Sequence, residues 1–138
     1  MSPKHFETFY WPSLKKLILG LVNAGLTPFI WFEGTYTTRL EYLTELPKGK
    51  VIGFFEKTNM IKAKETLGDV MCIGGGMPVS LLQVGTPQQI RKYTKKLIDK
   101  VSEGGGFVMS AGSALDEANP QLLKIWVDLT KQYGKYKR

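Results

Sequence analysis

The chain has 138 residues, with 19 Lys and Arg against 12 Asp and Glu for a formal charge of +7. At 43% hydrophobic and 22% charged residues, it carries enough apolar side chain for a single domain over residues 1–138, and these proportions exclude a disordered chain and a membrane span. The positive charge gathers at Arg91, Lys92, Lys95, Lys96 and Lys100, and again at Lys131, Lys135, Lys137 and Arg138; with no aromatic interleaving and no recognisable module, it reads as solvated helix faces rather than a nucleic-acid surface.

The first residues, including the only histidine, His5, read as a flexible terminus. Leu14, Leu17, Ile18, Leu21 and Val22 then recur at helical spacing, with Gly25 where a C-terminal cap belongs. That is an amphipathic leading helix, a better account of these letters than the apolar core of a signal peptide. Phe29-Ile30-Trp31-Phe32 is a first strand, closed by Glu33-Gly34, and residues 37–46 read as a helix stopped by Pro47. Residues 51–55 form a second strand, after which Asn59 caps a helix over 60–67 that ends at Gly68. Residues 70–73 make a third strand ending in Gly74-Gly75-Gly76. Thr86-Pro87-Gln88-Gln89 supplies a cap, a proline at the first helical position and a capping-box glutamine. The helix that follows carries Ile90, Tyr93, Leu97, Ile98 and Val101 on one face. A fourth strand, 107–110, and a helix over 120–133 that buries Leu122, Ile125, Trp126 and Leu129 complete the chain.

Continuous apolar strands separated by amphipathic helices indicate an α/β fold with four parallel strands alternating with helices, plus the leading helix. An open doubly wound sheet and part of a (β/α) barrel both satisfy this pattern. Neither Glu33-Gly34-Thr35-Tyr36 nor Gly74-Gly75-Gly76-Met77-Pro78 matches a dinucleotide or phosphate-loop fingerprint. A whole barrel needs eight such units and ~250 residues, so this length supplies half. The single cysteine, Cys72, has no internal disulfide partner, which agrees with a cytoplasmic protein.

The succession of Pro28 to Gly34, Ala63 to Asp69, Gly74-Gly75-Gly76-Met77-Pro78 through Gly85-Thr86-Pro87, and Gly104-Gly105-Gly106-Phe107 to Gly112 resembles the uroporphyrinogen decarboxylase superfamily, which also contains cobalamin-dependent methyltransferases. The resemblance implies the carboxyl-terminal half of a TIM barrel, strands five to eight. It further implies decarboxylase or methyltransferase chemistry, with methyl transfer involving a corrinoid protein slightly favoured. No cofactor would be held tightly by this chain, the corrinoid being carried by a partner. The zinc-binding relatives place His, Cys and Cys where this chain has Trp31, Glu33 and Ser113, so no metal is expected. The decarboxylases place a histidine where Ser113 stands.

From the residues themselves, Glu33 and Glu56 each follow an apolar strand on neighbouring strands, where two carboxylates can act as acid and base. Ser113, without a histidine to activate it, is suited to hydrogen bonding. With these three as catalytic candidates, Arg39 is a candidate anion clamp, Asn59 a polar contact, and Gly74, Gly75, Gly76 and Gly112 backbone approached by substrate. The competing reading is a non-catalytic or truncated half-barrel that binds a tetrapyrrole-like ligand or a protein partner. In either case the open sheet calls for a second copy or a missing barrel half; no membrane or nucleic-acid partner is expected.

Overall fold

The computed structural model describes residues 1–135, so Lys137 and Arg138 of the basic terminus lie outside the described residues. Four strands, β1 (Phe29–Phe32), β2 (Ile52–Phe55), β3 (Cys72–Met77) and β4 (Phe107–Ala111), form one sheet in the order β1-β2-β3-β4. All three pairings are parallel. A sheet in which each strand lies beside its sequence neighbour is wound in one direction only, which decides for part of a barrel against the doubly wound alternative.

The amino terminus corrects the expectation of a flexible segment. A short helix α1 (Pro3–His5) continues through a π-helical turn (Phe6–Tyr10) into α2 (Trp11–Asn23). Phe6 and Trp11 are buried in the main core with Ile18. Burial of Phe6 against distant side chains holds this segment, and nothing local in the sequence announces it. The end of α2 is as expected: Gly25 N–H donates to the Val22 carbonyl and Leu26 N–H to that of Leu21, which satisfies the last carbonyls. Of the predicted apolar face, however, Ile18 is buried while Leu17 stays 61% exposed.

Helix α3 spans only Leu40–Leu43, shorter than the predicted 37–46. Arg39 N–H closes a turn on the Tyr36 carbonyl and the Thr37 hydroxyl accepts from the Asn59 amide, so the two residues are used in the loop. Helix α4 (Met60–Leu67) starts where the cap predicts, with Asn59 Oδ1 accepting from the amides of Ile61 and Lys62. We expect Asn59→Ala to cost about 1 kcal/mol, read as a lowered denaturation midpoint; an unchanged midpoint would show that the cap is dispensable. A further short helix, α5 (Val79–Val84), follows β3 and escapes sequence reading because its six residues are too few to establish a period. α6 (Pro87–Val101) has the full Thr86–Gln89 capping box, and α7 (Pro120–Tyr133) is capped by Asn119. β3 covers Cys72–Met77 rather than the expected 70–73, so Gly74, Gly75 and Gly76 lie inside it and do not end it, a second correction.

The main core lies between the sheet and α2, α3, α4 and α6, with Phe32, Phe55 and Ile73 of the strands facing Leu40, Leu43, Ala63, Leu67 and Val101. A second cluster, Met77, Leu82, Ile90, Ala111 and Leu122, joins β3 and β4 to α5, α6 and α7. No helix among the described residues is long and apolar enough to cross a membrane.

Candidate active-site mouth

Parallel strands deliver their carboxyl ends to one side, and the loops that follow them form the mouth. The loops after β1 and β2 are tied together by side chains from both. Gly34 N–H donates to Glu56 Oε2 at 2.6 Å, Tyr36 N–H to the Thr58 hydroxyl at 3.0 Å, and Asn59 N–H to the Thr37 hydroxyl at 3.0 Å. Glu56 is therefore half of a scaffold: one carboxylate oxygen holds the turn after β1, and the other lies 3.7 Å from Lys57 Nζ.

Two adjoining depressions open at this mouth. One, of about 410 Å³, is lined by Glu56, Lys57, Thr58, Gly76, Ser80 and Tyr93, together with Gly112 and Ser113. The other, more open, is lined by Trp31, Glu33, Glu56, Ser113, Ala114 and Asp116. Glu56 and Ser113 belong to both. The three catalytic candidates, Glu33, Glu56 and Ser113, thus share one mouth, with Gly76 and Gly112 beside them. Among the described residues the Ser113 hydroxyl has no hydrogen-bond partner.

Other candidates are placed elsewhere. The Arg39 guanidinium lies 4.8 Å from the Phe6 ring centre and 5.6 Å from that of Tyr36, and its Nη2 donates to the Met1 carbonyl at 2.9 Å. It clamps the amino-terminal helix and lines neither depression. Asn59 is engaged as a cap and borders a smaller hollow with Thr58, Tyr93 and Lys96. Gly74 and Gly75 pair with Phe54 and Phe55 inside the sheet. Gly112 is small for a reason other than ligand room: a Cβ there would stand 2.6 Å from the Glu56 carbonyl oxygen, so the chain leaving β4 crosses directly over the end of β2.

Tyr93 is the mouth residue that sequence reading assigned only to the buried face of α6. Its half-buried ring borders the more enclosed depression, and burial pushes its phenol above the usual tyrosine range, leaving a protonated hydrogen-bond donor at neutral pH. Its helical position conceals this, because a residue at the edge of an apolar stripe reaches core and cleft together. Burial likewise raises the Cys72 thiol, with Lys64 opposing.

Trp31 offers an indole without a free lone pair, and Glu33 and Ser113 make an incomplete, weak donor set; among the described residues no three His, Cys, Asp or Glu side chains group to hold an ion.

Fold and mouth together define part of a (β/α)-barrel protein with its polar loops at the carboxyl ends of the strands. The comparison with known proteins makes this specific: the family model for uroporphyrinogen decarboxylase (URO-D) matches residues 1–133, and the chain belongs to that family. It is similar to the uroporphyrinogen decarboxylase of Geobacter metallireducens, 30% identical over 115 residues, which are 83% of this chain and 33% of the relative. It also resembles that of Syntrophotalea carbinolica, 25% identical over 129 residues, 93% of this chain and 37% of the relative. The match to that of Pseudoalteromonas translucida is 22% identical over 146 residues, 97% and 38%. The chain spans about a third of the length of the curated relatives it matches.

Proposed function

We propose that this chain supplies one wall of a mouth that binds a polycarboxylated, reduced tetrapyrrole, in the manner of the decarboxylase branch of its family. The observation that carries the reading is the pairing of two chemically unlike depressions around Glu56 and Ser113. Glu33 and Asp116 offer acceptors on one side, whereas Lys57, Ser80 and Tyr93 offer donors on the other, and Glu56 and Ser113 border both. A reduced tetrapyrrole has the complementary layout, with pyrrole N–H groups at its centre and carboxylates at its rim. Ring nitrogens would donate to the acidic side, and rim carboxylates would accept from the donors.

In this role Glu56 fixes the loop after β1 and presents its other oxygen to ligand, Glu33 is the freer carboxylate available for proton transfer, and Ser113 hydrogen-bonds where relatives place a histidine. Methyl transfer with a corrinoid-carrying partner is the less favoured reading, because the zinc donor set its relatives use has no counterpart at Trp31, Glu33 and Ser113. A cytoplasmic location belongs to the proposal.

Titration with uroporphyrin, followed by its absorbance, tests the proposal. Saturable binding is expected, weakened about tenfold or more by Ser113→Leu, which fills the wall shared by both depressions, and unaffected by Val84→Ser on the exposed end of α5. Equal binding by Ser113→Leu and the parent, or none by the parent, would count decisively against this reading.

A further inference from the structure

Helix α6 carries more charge than its surroundings balance. It exposes Arg91, Lys92, Lys95, Lys96 and Lys100 against one acid, Asp99. The ion pairs among the described residues are Lys15–Glu45, Lys57–Glu56 and Lys124–Asp128, so none of these five cations is matched. Lys92, Lys96 and Lys100 stand four residues apart along one ridge, as do Arg91 and Lys95, and like charges at that spacing weaken a helix. On α7 the same spacing is filled by the Lys124–Asp128 pair. Beside the ridge, between α5 and α6, lies a hollow of about 270 Å³ lined by Leu81, Gln89, Lys92, Tyr93 and Lys96. Leu81 and Tyr93 are half-buried over the second core cluster, and long polar side chains line such a hollow with their apolar stems; the result is an apolar recess with a cationic rim. Lys96 also borders the hollow between α4 and α6 with Ile61 and Leu97. We infer that this face docks an acidic segment of a protein partner, which inserts one large apolar side chain between α5 and α6 and lays carboxylates along Lys92, Lys96 and Lys100.

Size, spacing and shape select this occupant. The hollow falls below the ~300–1,000 Å³ of sites that enclose a free small molecule, which suits a single inserted side chain. Four residues along a helix rise about 6 Å, close to the ~6.6 Å between alternate side chains of an extended chain. A segment with an acid at every second position therefore meets successive lysines of the ridge, and the match relieves the repulsion within it. A bilayer is entered by apolar side chains that protrude, but every large exposed apolar residue among the described residues lies off α6. Single-stranded nucleic acid stacks on exposed aromatic rings, and the one aromatic residue of α6, Tyr93, is half-buried in the wall of the hollow. The sequence reads these cations as a solvated helix face; the recess beside them is what supplies a shape to recognise. α6 packs between α4 and α7 in the helical layer, so its solvent face stands apart from the strand edges and from the mouth. The inference does not rest on the ligand proposed for the mouth, although Tyr93 borders both hollows.

Fluorescence anisotropy of a labelled synthetic peptide, with glutamates alternating with serines around one central phenylalanine, tests the docking on the full chain. At low salt the peptide is expected to bind saturably, with an affinity that falls as salt rises. Replacing its phenylalanine by alanine should weaken binding about tenfold or more, and Lys96→Glu should do the same. Lys16→Glu, at an exposed position of α2, changes the net charge equally and should weaken binding by less than about twofold. No binding by the parent, equal binding of the two peptides, or equal effects of Lys96→Glu and Lys16→Glu overturns the inference. So does tighter binding of phosphatidylserine vesicles or duplex DNA than of the peptide, lost in Lys96→Glu, which assigns the face to a membrane or to nucleic acid instead. Circular dichroism shows whether Lys96→Glu keeps the parental fold; where it does not, the comparison of the two peptides on the parent decides. A chain that binds the peptide but no uroporphyrin faults the functional proposal alone.

Discussion

Gly75→Val is expected to lower the free energy of unfolding by about 4 kcal/mol or more, a large fraction of the roughly 5–15 kcal/mol that holds a domain of this size. Gly75 has φ +104°, a region that β-branched residues essentially never occupy, and a Cβ there would lie 2.4 Å from the Phe55 carbonyl oxygen. That oxygen belongs to the backbone of the paired strand, so no rotamer change relieves the contact. The sheet would have to open between β2 and β3, its two central strands. Gly75→Ala should fall between parent and Val, since it has the Cβ without the branch. Urea denaturation followed by circular dichroism checks the order; a Val variant with the parental midpoint would mean that β3 can straighten without loss.

Phe6→Ala is expected to cost about 3–5 kcal/mol and to release the amino-terminal helix. The Phe6 ring is fully buried, with Tyr10, Trp11, Tyr36 and Tyr42 around it at 5.3 to 6.3 Å between centres and the Arg39 guanidinium over its face. Removing it empties the centre of an aromatic group that joins the amino terminus to α3 and to the loop after β1. Protease sites within residues 1–10 should then be cut much faster than in the parent, while Phe9→Ala, at an exposed ring, should leave both stability and cleavage nearly unchanged. Equal cleavage of parent and Phe6→Ala would show that the segment is held by other contacts.

These two sites differ in how far the sequence announces them. Helix beginnings were legible to the residue at Asn59 and Thr86, because a cap is a local hydrogen bond between a side chain and amides two or three positions on. The strands were legible as apolar runs, and the family resemblance supplied the barrel. What depends on distant partners was not. The burial of Phe6, the shortening of α3 by Thr37, and the pairing of Arg39 with two aromatic rings all arise from residues far along the chain. Spacing also misled at the glycines. Gly112 reads as space for a ligand, but the Glu56 main chain occupies that space; at the mouth, Glu33, Glu56, Gly76 and Ser113 were legible as a group, while Tyr93 was hidden in the helical stripe.

The strand order β1-β2-β3-β4 also bears on how the molecule is made. Each strand pairs with the next strand in the chain, so every β-sheet contact closes a loop of a few tens of residues and none waits for a remote segment. Low sequence separation between contacts favours rapid folding, and here it allows growth one strand and helix at a time as the polypeptide emerges. β4 and α7 are added after the first three strands, on the edge that β3 already presents.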